Sequence, residues 1–290
     1  MLLLREAFFL HRTKLMSNTG PIGVFDSGYG GLTILSEIRK LLPQYDYCYL
    51  GDNARAPYGS RSFEVIYEFT KQAVSALFDQ GCSLVILACN TASAKALRTI
   101  QQKDLPSWNP NKRVLGVIRP TTEMIGSITK SRHVGILATE GTIQSFSYNL
   151  EIAKLFPDIE VTGEACPIWV PLVENCLYEN EGADYFIKQN LSNILAKDSL
   201  IDTLILGCTH YPILADRIKG FLPEGITVIS QGSYVASSLK DYLKRHPEMD
   251  ANCSKGGSVK YLTTESPQRF TQMAERFLGE AVIAQHFVIA

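Results

Sequence analysis

Residues 83–93 read SLVILACNTAS, an apolar run that stops at Cys89 and gives way to polar residues. A short apolar run of this kind indicates a buried strand, and the residues that follow it indicate a helix that starts at once. The same pattern returns at residues 202–212, DTLILGCTHYP, around Cys208. Strands that alternate with helices in this way predict an α/β protein built on parallel sheets.

The chain also shows an internal duplication, because three landmarks recur in the same order. GVFDSG at 23–28 matches GILATE at 135–140, the strand before Cys89 matches the strand before Cys208, and strand 114–118 matches 226–229. We therefore predict two pseudo-symmetric parallel-sheet α/β domains with the active site in the cleft between them. The expected boundaries are an N-terminal extension over 1–20, a first domain over 21–117 plus 230–290, and a second domain over 118–229.

The bulk composition is that of an ordinary globular protein of 290 residues, with 46% hydrophobic residues and a formal net charge of -1. This balance gives no electrostatic argument for a nucleic acid or an anionic membrane as partner. The seven cysteines include no C-x-x-C pair, so neither a zinc site nor a redox motif is expected, and reduced thiols indicate the cytoplasm. The mildly apolar N-terminus is too short to span a bilayer. Arg5 and Glu6 interrupt it, so we expect no signal peptide. Met16 is an alternative start.

Cys89 and Cys208 are each expected at the carboxyl end of a parallel strand and at the start of the next helix. Ligands of open α/β sheets bind at that end of the strands, and the partial positive charge of a helix N-terminus favours a thiolate. If the two halves pack with these ends facing, the thiols approach one ligand from opposite sides. Two opposed carriers with a reference pKa of about 8.5 suit the removal of a proton from one face of a carbon and the return of a proton to the other. That reaction inverts a stereocentre.

Each candidate residue also has a structural interpretation. A lone cysteine that ends an apolar strand is more often part of the core, but here two cysteines share the same context. Asp26 and His210 are ionisable groups beside the cysteines, able to take a proton or to tune a thiol. Asp26 also fits an Asx turn, Ser27 a helix cap and Tyr58 a loop anchor.

The glycine-rich turn at Gly28, Gly30 and Gly31 invites comparison with a nucleotide site. The dinucleotide fingerprint needs a third glycine where Thr33 stands, and the acidic Asp26 in this turn would repel phosphate. The chain also has no Gly-Lys-Ser/Thr sequence, so a P-loop is excluded.

Five motifs follow one another along the chain: DSGYGGLT at 26–33, GDNARAPYG at 51–59, ACNTA at 88–92, VPLVE at 170–174 and GCTHYP at 207–212. Together they resemble the signature set of glutamate racemase, in the aspartate/glutamate racemase superfamily. The resemblance implies interconversion of L- and D-glutamate, with no cofactor such as pyridoxal phosphate and no metal. It also implies a role in supplying D-glutamate for bacterial peptidoglycan, and a homodimer.

By this resemblance Cys89 and Cys208 are the catalytic pair, Asp26 assists Cys89, and Glu174 and His210 assist Cys208. The pocket for the small-molecule substrate, glutamate, would be lined by Asp26, Ser27, Tyr58, Gly59, Asn90, Thr91, Thr139, Thr142, Thr209 and His210. One departure is visible: where the family often has Pro-Gly-Ala, this chain has PTT at 120–122 after Arg119. The departure concerns local loop shape and any dimer contact there rather than the chemistry.

Three other functions remain open. Aspartate racemase is the near alternative, although the Thr-His that follows Cys208 favours glutamate. A one-cysteine decarboxylase acting on a malonate-like substrate needs a single proton donor, so the presence of both Cys89 and Cys208 argues against it. A two-domain clamp for an acidic metabolite would bind glutamate and leave its optical rotation unchanged.

Overall fold

The structure is a computed structural model that describes residues 19–289. Most of the extension expected over 1–20, and the alternative start at Met16, lie outside that range. The described residues form two sheets in which every strand pairing is parallel. The predicted α/β class is therefore confirmed.

The first sheet has six strands and the second has four. The first contains β1 (Ile22–Asp26), β2 (Tyr47–Gly51), β3 (Leu84–Leu87), β4 (Arg113–Gly116), β9 (Val259–Thr263) and β10 (Ala284–His286). The second contains β5 (His133–Ala138), β6 (Glu160–Ala165), β7 (Thr203–Gly207) and β8 (Thr227–Ile229). Below, each sheet with the helices packed on it is called the first or the second half.

The strand order shows the duplication directly. The order β2-β1-β3-β4 in the first sheet returns as β6-β5-β7-β8 in the second, and β9 and β10 extend only the first. Strands β1, β3 and β4 thus correspond to β5, β7 and β8, as the sequence repeats predicted. The expected domain boundaries fall between strands of different sheets, at 117/118 and 229/230, and they stay a prediction.

Helices cover both sheets. They are α1 (Leu32–Leu41), α2 (Phe63–Asp79), α3 (Asn90–Lys95), α4 (Leu97–Thr99), α5 (Leu105–Trp108), α6 (Ile118–Ile128), α7 (Glu140–Gln144), α8 (Ser147–Leu155), α9 (Trp169–Glu174), α10 (Glu181–Lys197), α11 (Ala215–Phe221), α12 (Gly232–Arg245), α13 (Pro247–Asn252) and α14 (Pro267–Leu278). Short 3-10 segments span Asn53–Arg55 and Tyr211–Leu214, and a π-helical turn spans Ile100–Asp104. Within the described residues, no helix is both long and apolar enough to cross a membrane.

The core lies on both faces of each sheet. Strands β1, β2, β3 and β7 are buried along their whole length, and separate apolar clusters pack above and below each sheet. Strands that are covered on both sides read as continuous apolar runs, which is why these segments were recognisable in the sequence.

Polar residues and prolines in the sequence predict irregular structure over residues 103–112, at the Arg119-Pro120 step and over residues 247–257, but these segments contain helical turns. Pro106 lies near the start of α5, Pro120 is the third residue of α6 and Pro247 opens α13. The first four N–H groups of a helix have no intrahelical acceptor, so a proline there removes no hydrogen bond. The expectation of irregular structure was wrong because Pro120 and Pro247 lie in the first turn of their helices. Pro106 instead lies in a helical run that continues from the π-helical turn Ile100–Asp104.

Gly135 in β5 has no room for a side chain. A Cβ atom there would lie 2.4 Å from Leu204 Cδ2 and 2.9 Å from Ile194 Cδ1. We expect Gly135→Ala to lower the free energy of unfolding by about 1–3 kcal/mol, the usual cost of overpacking a core. Urea denaturation followed by circular dichroism measures this change.

Gly182→Ala in α10 is the matched control, because a Cβ atom there meets nothing within 4 Å. Alanine favours helix over glycine, so we expect stability to stay the same or to rise by up to about 1 kcal/mol. An equal decrease in the free energy of unfolding in Gly135→Ala and Gly182→Ala would contradict the packing argument.

Candidate active site

The carboxyl ends of β3 and β7 bring Cys89 and Cys208 to one cavity. Both side chains line it, although their exposed fractions are only 6% and 7%. The cavity volume is about 90 Å³, whereas a single water needs about 10–15 Å³, so it suits a molecule of several heavy atoms. Its walls are Ser27, Ala56, Pro57, Tyr58, Gly59, Ser60, Cys89, Asn90, Thr91, Thr139, Glu140, Pro167, Val170, Pro171, Glu174, Cys208, Thr209 and His210.

Cys89 caps the start of α3. Its sulfur accepts the backbone N–H of Ala92 at 3.5 Å, and the Ser27 hydroxyl lies 3.5 Å from the same sulfur. Burial, reinforced by the nearby carboxyl group of Asp26, raises the pKa of the Cys89 thiol to about 12, despite the opposing hydrogen bonds. Before a ligand binds, Cys89 is therefore a thiol at neutral pH.

Cys208 has a different environment, and the helix expected directly after it is displaced. Thr209 and His210 form a turn, and α11 begins only after the 3-10 segment Tyr211–Leu214. The expectation that Cys208 sits at an α-helix N-terminus was wrong, because the chain turns before it can form helical hydrogen bonds. The positive charge near this sulfur comes from a side chain instead.

That side chain is His210. Its Nδ1 lies 3.9 Å from the Cys208 sulfur, and its Nε2 lies 3.0 Å from Glu174 Oε1. Burial alone would lower the pKa of His210, but the hydrogen bonds and charges of Cys208 and Glu174 raise it to about 10. His210 is therefore an imidazolium at neutral pH, and its positive charge lies next to the Cys208 sulfur.

Asp26 lies behind the cavity wall. It is fully buried, accepts the backbone N–H of Gly28 at 2.9 Å, as an Asx turn requires, and accepts the Thr209 hydroxyl at 3.3 Å. Burial raises the pKa of Asp26, and the charge of His210 opposes that rise. The carboxyl group does not line the cavity, so its direct contact with a substrate stays a prediction, while its place between the two halves is observed.

A cluster of hydroxyl groups joins the halves on another side of the cavity. Thr91 Oγ1 lies 2.9 Å from Thr139 Oγ1, and Thr142 Oγ1 lies 3.0 Å from Thr139 and 3.4 Å from Thr91. Thr139 also caps α7. Thr91 and Thr139 line the cavity, whereas Thr142 supports them from behind and does not.

Two loops meet at the mouth of the cavity. The backbone N–H of Gly141 donates to the Gly59 carbonyl at 2.8 Å, and this bond joins the second half to the first. A side chain at Gly59 would come within 2.8 Å of Thr139, so the close approach requires glycine there. Tyr58 lines the cavity, and its hydroxyl donates to the buried side chain of Asp52, so it also anchors the loop.

The structure thus gathers nearly all of the predicted site residues around one cavity, and it adds others. Pro167, Val170 and Glu140 line the cavity without having been selected, and Gln231 and Tyr148 hold Asn90 from behind. Gln231 follows the end of β8, where a polar residue was a usable signal, whereas Tyr148 carried none. Among residues 19–289, no three His, Cys, Asp or Glu side chains are grouped as metal ligands.

Comparisons with known proteins identify the family of the chain. The Asp/Glu/hydantoin racemase family model matches residues 32–238. The glutamate racemase of Roseobacter denitrificans is 41% identical over 272 residues, which cover 90% of this chain and 97% of that protein. The glutamate racemase of Geobacter metallireducens is 39% identical over 259 residues, which cover 89% of this chain and 92% of that protein.

Solved structures give the same result. A glutamate racemase isoform of Bacillus anthracis matches with a TM-score of 0.84 and 37% identity, covering 93% of this chain and 98% of that chain. The glutamate racemase of Francisella tularensis, solved in complex with D-glutamate, matches with a TM-score of 0.82 and 33% identity. The match covers 94% of this chain and 98% of that chain. The chain therefore belongs to the Asp/Glu/hydantoin racemase family.

Within that family the chain is an amino-acid racemase, an isomerase, and the relatives named above are all glutamate racemases. The family resemblance in the sequence motifs is confirmed.

The charge state of His210 can be tested through Glu174. A raised pKa in the folded state stabilises the protein fully below the ordinary value of 6.5, and that contribution is lost as the pH rises through about 10. We expect Glu174→Gln to lower the pKa of His210 towards its ordinary value, because the variant removes the negative charge at Nε2. Histidine NMR titration measures the pKa, and urea unfolding should show the stability deficit of the variant shrinking as the pH rises.

Glu179→Gln is the control, since Glu179 is exposed and lies outside the cavity. It should leave the titration of His210 unchanged. An unaltered His210 titration in Glu174→Gln would show that the ion pair does not set the charge.

Proposed function

We propose that this racemase interconverts L-glutamate and D-glutamate without a cofactor, with Cys89 and Cys208 as paired proton carriers. The observation that carries the proposal is that both cysteines line one small cavity, each from a different half of the molecule. Glutamate is supported by the names of the relatives at about 40% identity and by the D-glutamate bound in the Francisella tularensis enzyme.

The proposed reaction moves one proton off the α-carbon and another onto it. The thiolate of one cysteine takes the α-proton, and the electron pair of the broken C–H bond remains on the substrate. The thiol of the other cysteine then gives its proton to the opposite face of the carbon and becomes the thiolate. One turnover therefore inverts the stereocentre and exchanges the protonation states of the two sulfurs.

The surroundings of the sulfurs support unequal starting states. The His210 imidazolium lies beside the Cys208 sulfur, while burial and the carboxyl group of Asp26 keep Cys89 a thiol. Glu174 holds His210 charged, and the buried Asp26 acts on Cys89 through its charge. Direct contact of Asp26 with the substrate remains part of the proposal.

The remaining polar groups of the cavity are proposed to hold the substrate. Ser27, Thr91, Thr139 and Thr209 present hydroxyl groups from both halves, and Tyr58 with Gly59 closes one wall. A glutamate bound across the cavity would replace the hydrogen bond between Thr91 and Thr139 with bonds to its carboxylates, since hydroxyls donate well to charged acceptors.

The family resemblance supports three further proposals. We propose that the enzyme acts in the cytoplasm, that it forms a homodimer and that its D-glutamate is used for peptidoglycan. The predicted domains, 21–117 plus 230–290 and 118–229, are proposed as the two bodies that close on the substrate.

Serine substitutions test the thiol pair. We expect Cys89→Ser and Cys208→Ser each to lower kcat/KM for glutamate by about 10²–10⁴-fold, the usual contribution of a positioned acid or base. Circular dichroism of L-glutamate, with no cofactor added, follows the reaction. Each single variant should retain only slow incorporation of solvent deuterium, confined to one enantiomer.

Cys176→Ser is the matched control, since Cys176 is free and does not line the cavity, and it should racemise glutamate at the normal rate. Normal turnover by either Cys89→Ser or Cys208→Ser would end the two-thiol proposal.

Substrate choice is tested by comparing glutamate with aspartate. We expect kcat/KM to be about 10–200-fold higher for glutamate, because a single methylene group in a fitted pocket changes binding by that amount. Equal or faster turnover of aspartate would instead make the enzyme an aspartate racemase. Tight binding of glutamate with unchanged optical rotation would identify a binding protein.

A further inference from the structure

A closed ring of three hydrogen bonds lies directly behind Asn90, the residue after Cys89. Asn90 Nδ2 donates to Gln231 Oε1 at 2.6 Å, Gln231 Nε2 donates to Tyr148 Oη at 2.8 Å, and Tyr148 Oη donates to Asn90 Oδ1 at 2.7 Å. All three side chains are buried. Each side chain donates to the next one around the ring, so a flip of either amide would place an acceptor against an acceptor or a donor against a donor.

The ring joins three parts of the molecule. Asn90 starts α3 in the first half, Tyr148 lies on α8 in the second half, and Gln231 lies where the chain returns from β8 to α12. Gln231 Nε2 also lies 3.1 Å from Thr121 Oγ1 and 3.2 Å from the Val117 carbonyl, at the other crossing between the halves. The Gln231 side chain therefore hydrogen bonds to Asn90, the residue next to Cys89, and links the two segments in which the chain passes from one half to the other.

The amide group of Asn90 has one N–H left over. Among residues 19–289 the only hydrogen-bond acceptor of Asn90 Nδ2 is Gln231 Oε1, and a primary amide carries two protons. Asn90 lines the cavity, so a molecule bound there lies next to this residue. A donor already held in one orientation binds an acceptor without the entropic cost of ordering it first.

We propose that Gln231 and Tyr148 are positioning residues, which orient the Asn90 amide so that its free N–H binds a carboxylate oxygen of the amino-acid substrate. The inference rests on the proposed function, since the carboxylate is that of glutamate. Neither Gln231 nor Tyr148 lines the cavity, so both act through Asn90.

Gln231→Met tests the proposal, because methionine keeps most of the volume and removes both the acceptor and the donors. We expect KM for L-glutamate to rise about 10–100-fold, as a lost hydrogen bond to a charged group would require, with kcat changed by less than about threefold. Tyr148→Phe leaves the bond between Asn90 and Gln231 in place, so its KM should rise less, by about 3–10-fold.

A double-mutant cycle separates positioning from general structural support. In an Asn90→Ala background, Gln231→Met should raise KM no further, because the group that it orients is gone. A purely structural role would instead give the same increase in both backgrounds. Tyr148→Phe serves for the same cycle if Gln231→Met does not fold.

Tyr47→Phe is the matched control for Tyr148→Phe. Tyr47 is buried and donates its hydroxyl to the Leu42 carbonyl at 2.7 Å, outside the cavity, so KM should be unchanged although stability falls. A normal KM in Gln231→Met, or an undiminished effect in the Asn90→Ala background, would overturn the positioning role. Failure of the unmodified enzyme to racemise glutamate would instead overturn the proposed function itself.

Discussion

The site depends on one constraint: two thiols must follow corresponding strands whose carboxyl ends face a common space. Strands β3 and β7 are buried throughout and are each paired on both sides. A one-residue slip of either strand would exchange its side chains between two differently packed core faces, so close packing on both sides fixes the register. Cys89 and Cys208 therefore have positions set by the cores of two sheets rather than by flexible loops.

The duplication repeats the backbone but not the charges. Strand β1 ends at Asp26, whereas the corresponding β5 ends at Ala138. Ser27 lies beside the Cys89 sulfur, while its counterpart Thr139 hydrogen bonds to Thr91. The buried carboxyl group of Asp26 thus acts through its charge on the Cys89 thiol, whereas the His210 imidazolium lies beside the Cys208 sulfur, and this difference makes the two sulfurs inequivalent.

Whether a feature could be predicted from the sequence depends on how far apart in the chain the interacting residues lie. The strands and both cysteine positions were predictable because continuous apolar runs mark strands covered on both faces. The helical turns that contain Pro106, Pro120 and Pro247 were missed because, in the sequence, a proline inside a helical segment looks the same as one in a loop. Gln231 and Tyr148 reach Asn90 across 141 and 58 positions of sequence, and no local pattern records contacts of that kind.

The unequal surroundings of the two cysteines have a kinetic consequence that thermodynamics limits. Enantiomers have equal free energies in water, so the Haldane relationship requires a racemase to have the same kcat/KM in both directions. The His210–Glu174 pair near Cys208 and the buried Asp26 near Cys89 are therefore unable to make one direction more efficient than the other. They can make kcat and KM differ between the two enantiomers only by the same factor, so that the ratio kcat/KM stays equal.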